Sequence, residues 1–334
     1  MQISLFYFAD ETSDSESGYH LLLEGARMAD RLGLTAVWTP ERHFTGFGGR
    51  YPNPAVTGAA VAAVTERVGI RAGSVAVPLH HIVRVAEEWA MVDQLSGGRA
   101  GLSLAPGSAA SDFVLNPQAY GERKRLAIDA VDQLRSLWRG EAYQSDAMEA
   151  GGSYTITPAP VKKRLPLWLT TAGDPATFRA AGLAGTGVLT HLMKQTLPEL
   201  REQVGLYRRT LAESGSQWPG HVTLMVHTYV DESPSQAVEL TRAPLERYLV
   251  SAMGFLRNQG ASADTVRKAR LAVQPAVKRY LGADGLIGSV PSLQPRLERF
   301  REAGVDELAC LIDFGVPVEP TLEGLEHLSR LQGL

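Results

Sequence analysis

Residues 68–107, VGIRAGSVAVPLHHIVRVAEEWAMVDQLSGGRAGLSLAPG, constrain the fold more than any other stretch. Residues 68–77 form a short apolar run with β-branched positions, closed by Pro78. Ile82, Val85, Ala86, Trp89, Val92 and Leu95 then recur at helical spacing, and Gly97-Gly98 stops that helix. Residues 100–105 are a second apolar run, ended by Pro106-Gly107. Two strands buried on both faces and joined by one helix make a βαβ unit with parallel strands. Polar residues gather where each strand ends: Ser74, His80 and His81 after the first, Ser103 in the second. Parallel α/β folds bind ligands at the carboxyl ends of their strands.

The same alternation runs along the chain. It predicts strands at 3–8, 35–38, 167–171, 187–192, 222–230 and 308–314, besides 68–77 and 100–105. Helices are expected at 19–32, 55–65, 82–95, 120–138, 175–183, 197–212, 234–256, 264–281, 293–303 and 322–331. Residues 10–17 and 112–117 read as loops, 258–261 as a polar joint, and 139–166 as an irregular insertion rich in Gly and Pro. Eight strands alternating with helices predict an α/β fold, a (β/α)8 TIM barrel with insertions in the βα loops, as one domain over 1–334. A doubly wound sheet would carry G-x-G-x-x-G after an early strand, and that fingerprint is missing there.

Charge and cysteine usage narrow the function. The net charge is -3 without a long run of one sign, so no nucleic-acid partner is expected. The one cysteine, Cys310, lies in an apolar run and reads as a buried, inert thiol. The start MQISLFYFADE lacks a basic region followed by a long apolar core, so neither a signal peptide nor a membrane span is expected, and the cytoplasm is the expected place.

The strand ends collect Phe8, Ala9 and Asp10; Glu41, Arg42 and His43; Ser74, Val75 and His80; Ser103 and Ala105; Thr171, Ala172 and Gly173; Thr190 and His191; and His227. In TTAGDPATF, residues 170–178, the N–H groups of Ala172 and Gly173 and the Thr177 hydroxyl suit an anion at a helix N-terminus, a phosphate above all. The alternative is a capping turn with Asp174 before Pro175. Loop 39–54 reads two ways. Arg42 and His43 act on a substrate while Phe44, Phe47 and Tyr51 wall a flat ligand, or the loop is packed and Arg42 pairs with Glu41 or a surface acid. His80 and His81 stand near a ligand, or one caps the following helix and the other faces solvent. His191 is placed to reach the mouth, and His227 reads as a satisfied interior histidine. Without a His pair at i, i+4, no metal site is expected. No G-x-S-x-G elbow occurs, and Glu41 and Glu87 are available as acids without being marked as a pair.

The segments WTPERHFTGFGGRYPNPAV, VPLHHIVRVAEEWAMVDQLSGGRAGLSLAPG, TLMVHTYV and LACLIDFG together resemble the flavin-dependent, luciferase-like monooxygenases. More narrowly they are similar to the subgroup associated with polyketide and nonribosomal-peptide pathways. The resemblance covers nearly the whole chain. It implies a (β/α)8 barrel, reduced FMN supplied by a separate NAD(P)H:flavin reductase, dioxygen as co-substrate, a free or carrier-tethered small molecule as substrate, and a homodimer. The expected reaction is hydroxylation, N-oxygenation or a Baeyer–Villiger-type oxygenation. The flavin ring would lie over Ser74-Val75, where the family often has a non-proline cis peptide, with Ser103 and Ala105 on its other side. The phosphate would lie on Ala172, Gly173 and Thr177, and Phe8, Ala9 and Thr190 complete the cofactor set. Phe8, Phe44 and Phe47 would exclude water, while Arg42, His43 and His191 would be the catalytic, substrate-placing groups. Two departures stand out. Arg42 occupies the position of a luciferase histidine, and Gly107-Ser108-Ala109-Ala110 replaces a Gly-Trp-His-Pro-like segment. A dehydrogenase using coenzyme F420 on the same barrel and a flavin-binding protein with little catalysis are the competing readings.

Overall fold

The computed structural model describes residues 1–9, 19–145, 152–258 and 262–333. Asp10, the loop 10–17 and most of the joint 258–261 therefore lie outside the described residues. The strands are β1 Gln2–Phe6, β2 Ala36–Thr39, β3 Gly69–Ala76, β4 Ala100–Ala105, β5 Tyr143–Ser145, β6 Gly152–Tyr154, β7 Leu167–Thr170, β8 Gly187–His191, β9 Val222–Val230, β10 Leu286–Gly288 and β11 Glu307–Leu311. The helices are α1 His20–Arg31, α2 Pro54–Ala62, α3 Ile82–Ser96, α4 Arg123–Trp138, α5 Pro175–Ala184, α6 Leu197–Glu213, α7 Pro234–Asn258, α8 Ala263–Leu271, α9 Val273–Arg279, α10 Val290–Glu302 and α11 Val318–Ser329. Among the described residues no helix is long and apolar enough to cross a membrane.

Eight strands pair side by side in the order β9-β11-β1-β2-β3-β4-β7-β8, and β8 pairs back onto β9. Every pairing in this ring is parallel, so the expected (β/α)8 barrel is borne out. Three local expectations are corrected. Within 139–166, read as irregular, β5 and β6 form an antiparallel ladder; three-residue strands are too short to show a period. The three-residue strand β10, which the pattern missed, extends β9 beyond the point where β11 leaves it. The helix expected over 264–281 divides into α8, α9 and a π turn at Tyr280–Asp284. Pro275 has no N–H to donate to the Leu271 carbonyl, which interrupts the ladder at that junction.

Two cores follow from the period of two along each strand. Ile3 and Leu5 pack outward with Trp89, Leu134, Phe178 and Leu200 of the helix layer. Cys310 belongs to this layer, and burial pushes its thiol up to about 12, as expected of an inert cysteine. The intervening residues Phe6, Trp38, Trp168, Leu189 and Leu311 form a separate aromatic cluster. Gly187 is needed there, since a Cβ would meet the Trp168 ring at 2.3 Å.

At the amino end of the barrel lies a buried carboxylate. Glu307 accepts hydrogen bonds from the Ser4 hydroxyl (2.5 Å), Trp38 Nε1–H (3.0 Å), Arg71 Nη1 (2.9 and 2.7 Å) and His221 Nε2 (2.9 Å). The Arg71 guanidinium sits 4.9 Å and 4.7 Å from the ring centroids of Trp38 and Trp168, positions where the faces of both rings attract a cation. Burial raises the Glu307 pKa, but Arg71, His221 and Ser4 outweigh it and hold the group down at about 2. A folded value below the ordinary carboxylate value of about 4.3 contributes stability present above that pH and lost as pH falls toward the folded value. Glu307→Gln leaves the Arg71 charge buried without its partner and is expected to cost about 3–5 kcal/mol near neutral pH. Urea unfolding at several pH values checks this, and the variant should lose less stability than the parent on going from about pH 5 to 2.

Candidate active site

The carboxyl ends of the strands carry two polar groupings and an aromatic wall. The first grouping stands on β3, β4 and β7. The peptide between Gly73 and Ser74 is cis, one residue before the expected position, and the β3–β4 register shifts between Gly73 and Val75. Ser74 and Ser103 both hydrogen-bond to the Thr170 hydroxyl, the latter at 2.6 Å. Val75 is buried and Ala105 half-buried at the rim. Thr170, one residue before the expected Thr171, is thus the group that joins the two serines. Only the barrel register reveals it.

The second grouping comes from loop 39–54 and the turn before α3. Glu41 is buried, its Oε1 accepting from His43 Nε2 (2.9 Å) and His80 Nε2 (2.5 Å) and its Oε2 from the Ala76 N–H (2.8 Å). Burial raises the Glu41 pKa, yet the two imidazoles and the amide bring it below its ordinary value. For His80, burial lowers the pKa, while the Glu41 hydrogen bond and charge and the nearby Glu88 raise it further, so its net shift is upward. The donor atoms of Glu41, His43 and His80 lie within 4.8 Å of one another, a set a divalent transition ion would accept. The i, i+4 criterion misses it because the three residues meet from two separate loops. Glu88, not Glu87, is the second acid here. His81 makes no capping bond to α3 and instead meets Tyr143 edge-on at 5.4 Å.

Arg42 does not pair with Glu41. Its Nη1 reaches Asp112 Oδ2 (3.4 Å) and the Ser108 hydroxyl (3.3 Å), and its guanidinium stands 5.6 Å from the Phe8 ring centroid. The two departures noted in the sequence therefore touch. The cation at 42 is held by the segment that replaces the Gly-Trp-His-Pro-like run. Phe8 packs on Phe47 (5.3 Å) and Phe47 on Tyr248 (4.9 Å), which forms the wall. Phe44 is 64% exposed and takes no part in it, contrary to expectation, and Tyr51 is buried against Tyr7 and Tyr19. Tyr51 instead donates to Asp313 Oδ2 (3.1 Å), whose Oδ1 accepts the Phe8 N–H (2.7 Å). Burial pushes the Asp313 carboxyl up to about 7 against these bonds.

A sequence model described as luciferase-like monooxygenase matches residues 1–307. The chain belongs to the luciferase-like monooxygenase family. It is 26% identical to the flavin-dependent trigonelline monooxygenase, oxygenase component, of Acinetobacter baylyi, over 98% of this chain and 93% of that protein. Three solved structures share the fold. They are monooxygenase RslO1 from Streptomyces bottropensis (TM-score 0.81, 21% identity, 99% and 98% of the two chains), the oxygenating constituent of 3,6-diketocamphane monooxygenase from Pseudomonas putida in complex with FMN (0.78, 16%, 99% and 97%), and a coenzyme F420-dependent secondary alcohol dehydrogenase in complex with an F420-acetone adduct (0.70, 17%, 99% and 98%).

The remaining expected residues of this luciferase-like chain lie between β7 and β8. The Thr171 hydroxyl accepts the N–H groups of Gly173 (3.3 Å) and Asp174 (3.1 Å), and Asp174 caps α5 at Ala176 (3.1 Å) while Lys124 pairs with it at 2.9 Å. The Thr177 N–H donates to the Asp174 carbonyl (3.0 Å). The capping turn is therefore formed, and Ala172, Gly173 and Thr177 stand around it. Gly173 takes φ +107°, and a Cβ there would meet Gln195 at 3.2 Å. Thr190 is buried with its hydroxyl donated to Thr171 O (2.8 Å). His191 Nδ1 accepts the Met193 N–H (3.2 Å), and burial, with Lys194 adding to it, lowers this ring to about 4. Ala9 is buried.

Glu41→Gln tests the second grouping. The amide cannot accept from all three donors, so one buried N–H loses its partner at a cost of about 1–3 kcal/mol. The His80 pKa, followed by its ring-proton NMR shift, should drop, since burial remains and the Glu41 charge is gone.

Proposed function

We propose that this chain is the oxygenase component of a two-component system, taking reduced FMN from a separate NAD(P)H-dependent reductase and using dioxygen to oxygenate a small organic or carrier-tethered substrate. The observation that carries this reading is the hydroxyl cluster Ser74–Thr170–Ser103 at the carboxyl ends of β3, β4 and β7, set beside an apolar mouth. A flat ring with a polar edge suits such a surface. The residues fit a flavin on a second count. Gln195 is buried and its Oε1 has no hydrogen-bond partner among the described residues, while Gly173 leaves open the space next to it. The oxygenase-component wording of the trigonelline relative supports the two-component arrangement, and the FMN-bound structural neighbour supports FMN. The coenzyme F420-dependent neighbour favours a second reading, a deazaflavin dehydrogenase that needs no oxygen.

When bound, reduced flavin supplies the electrons that activate dioxygen. In this reading Ser74, Val75, Ser103, Ala105, Phe8, Ala9 and Thr190 hold the ring. The Gly173 amide and the Thr177 hydroxyl would hold a phosphate, with Ala172 beside it and Lys124 as countercharge. Phe8, Phe47 and Tyr248 keep water from the reacting centre. Arg42, braced by Asp112 and Ser108, orients a polar group of the substrate. His43 keeps Nε2 on Glu41, which leaves Nδ1 to move a proton at the substrate. His191, with Nδ1 occupied by the Met193 amide, presents Nε2–H as a donor.

Anaerobic titration with reduced FMN and reduced F420 separates the two readings. FMN is expected to bind with a dissociation constant of about 10 μM or lower, close to 7 kcal/mol. Binding of F420 alone would reverse the assignment.

His43→Ala should leave FMN binding nearly unchanged while product per reduced flavin falls by about 10²–10⁴-fold and hydrogen peroxide rises. Unchanged product yield in a stable variant would remove His43 and leave Arg42 or His191 as the proton-handling group.

A further inference from the structure

His227 stands on β9, opposite Leu311 of β11 and two positions beyond Met225, which lies opposite His191 of β8. That places it at the carboxyl end of the barrel, on the same side as the candidate site. The sequence reading treats it as a satisfied interior histidine. The structure corrects this. The residue is 1% exposed, and among the described residues neither Nδ1 nor Nε2 has a hydrogen-bond partner.

The ring is enclosed by aromatic neighbours: Tyr280 at 4.7 Å, Tyr248 at 5.3 Å and Phe314 at 5.7 Å between centroids. Tyr248 in turn packs on Phe47, which continues into Phe8 beneath Arg42. Burial, with a smaller contribution from His191, lowers the imidazole to about 3, so it is neutral and offers one donor and one acceptor. A phenylalanine would fill this cage without leaving bare polar atoms, and each unsatisfied buried group costs about 1–3 kcal/mol. The fold itself gains nothing from the two nitrogens.

None of the enclosing rings lies on a barrel strand, and Phe314 follows the end of β11. Tyr248 lies on α7, and Tyr280 opens the π turn after α9, both in the insertion between β9 and β10. Neither takes part in a strand pairing. π turns recur at functional sites. Arg279, next to Tyr280, donates to Leu192 O (2.8 Å) just past β8, so the insertion rests on the mouth.

We propose that His227 is the polar anchor of the substrate pocket and that the substrate is a flat aromatic or conjugated ring carrying a hydroxyl or carbonyl group. The ring packs among Tyr248, Tyr280 and Phe314, and its heteroatom takes up one of the two imidazole nitrogens. This deepens the oxygenase reading by naming the substrate class of the same site, and it rests on that reading for what happens to the bound ring.

The test uses the full chain, calorimetric titration and three probes: naphthol, its methyl ether and naphthalene. The parent should bind naphthol about tenfold more tightly than naphthalene, equivalent to about 1.4 kcal/mol, with the ether between them. In His227→Phe the preference should collapse to about twofold or less, with a ligand-free melting temperature equal to or above that of the parent. His227→Asn, which keeps a donor and an acceptor, should retain part of the preference. An unchanged preference in His227→Phe, no preference in the parent, or a Phe variant that melts far below the parent would each overturn the assignment. Reduced-FMN affinity is measured on the same proteins and should differ by less than about twofold. A parent that prefers naphthol to naphthalene but binds no flavin removes the oxygenase reading and leaves this one. A parent that binds flavin and distinguishes nothing does the reverse.

Discussion

The contact between Glu307 and Arg71 is the constraint on which the barrel depends. A carboxylate with no exposure and a guanidinium between two indoles are costly to desolvate, and the cost is offset only when every partner is in place. Those partners come from β1 (Ser4), β2 (Trp38), β3 (Arg71), β7 (Trp168), the residue before β9 (His221) and β11 (Glu307). A slip of one residue in any of these strands would turn its side chain to the helix layer and leave a buried charge bare. Apolar packing closes the barrel, but this cluster specifies the register at which it closes.

With the register set at one end, the other end is set too. Ser74, Ser103 and Thr170 meet because β3, β4 and β7 are neighbours in one stagger. The β3–β4 register shifts between Gly73 and Val75, and beyond it the Ala76 N–H meets Glu41. Glu41 therefore joins the strand end to two imidazoles from separate loops. The mouth is polar at a few points and aromatic elsewhere.

The departures from the family pattern make sense as a pair. An arginine at 42 needs acceptors, and it finds Ser108 in the segment where the sequence departs from the resemblance and Asp112 two residues beyond that segment. Burial raises the Asp112 carboxyl while Arg42 opposes that rise. A bulky segment at 108–110 would occupy the path of the guanidinium, so the small residues there and the cation at 42 are physically linked. Ala109 is fully buried in the aromatic cluster, which leaves no room for a larger side chain without displacing its neighbours.

The fold was legible in the sequence because buried parallel strands and amphipathic helices write their periods locally. All eight barrel strands fall where apolar runs predict them, with bounds that differ by no more than three residues. The strand ends also pointed to Ser74, Ser103, Arg42, His43 and His191, since position along a strand is a one-dimensional property. What the sequence by itself could not determine are the pairings made by closure. Thr170 between two serines, Glu41 under two histidines, Arg42 on Asp112 rather than Glu41, and Phe44 turned to solvent each depend on contacts between segments distant in the chain. His227 is the sharpest case. Its place on an interior strand is written in the alternation of β9, but that both its nitrogens go unpaired depends on Tyr248, Tyr280 and Phe314. Those rings arrive from α7, the π turn and the loop after β11, and hydrogen-bond satisfaction is a property of the assembled neighbourhood, not of local sequence.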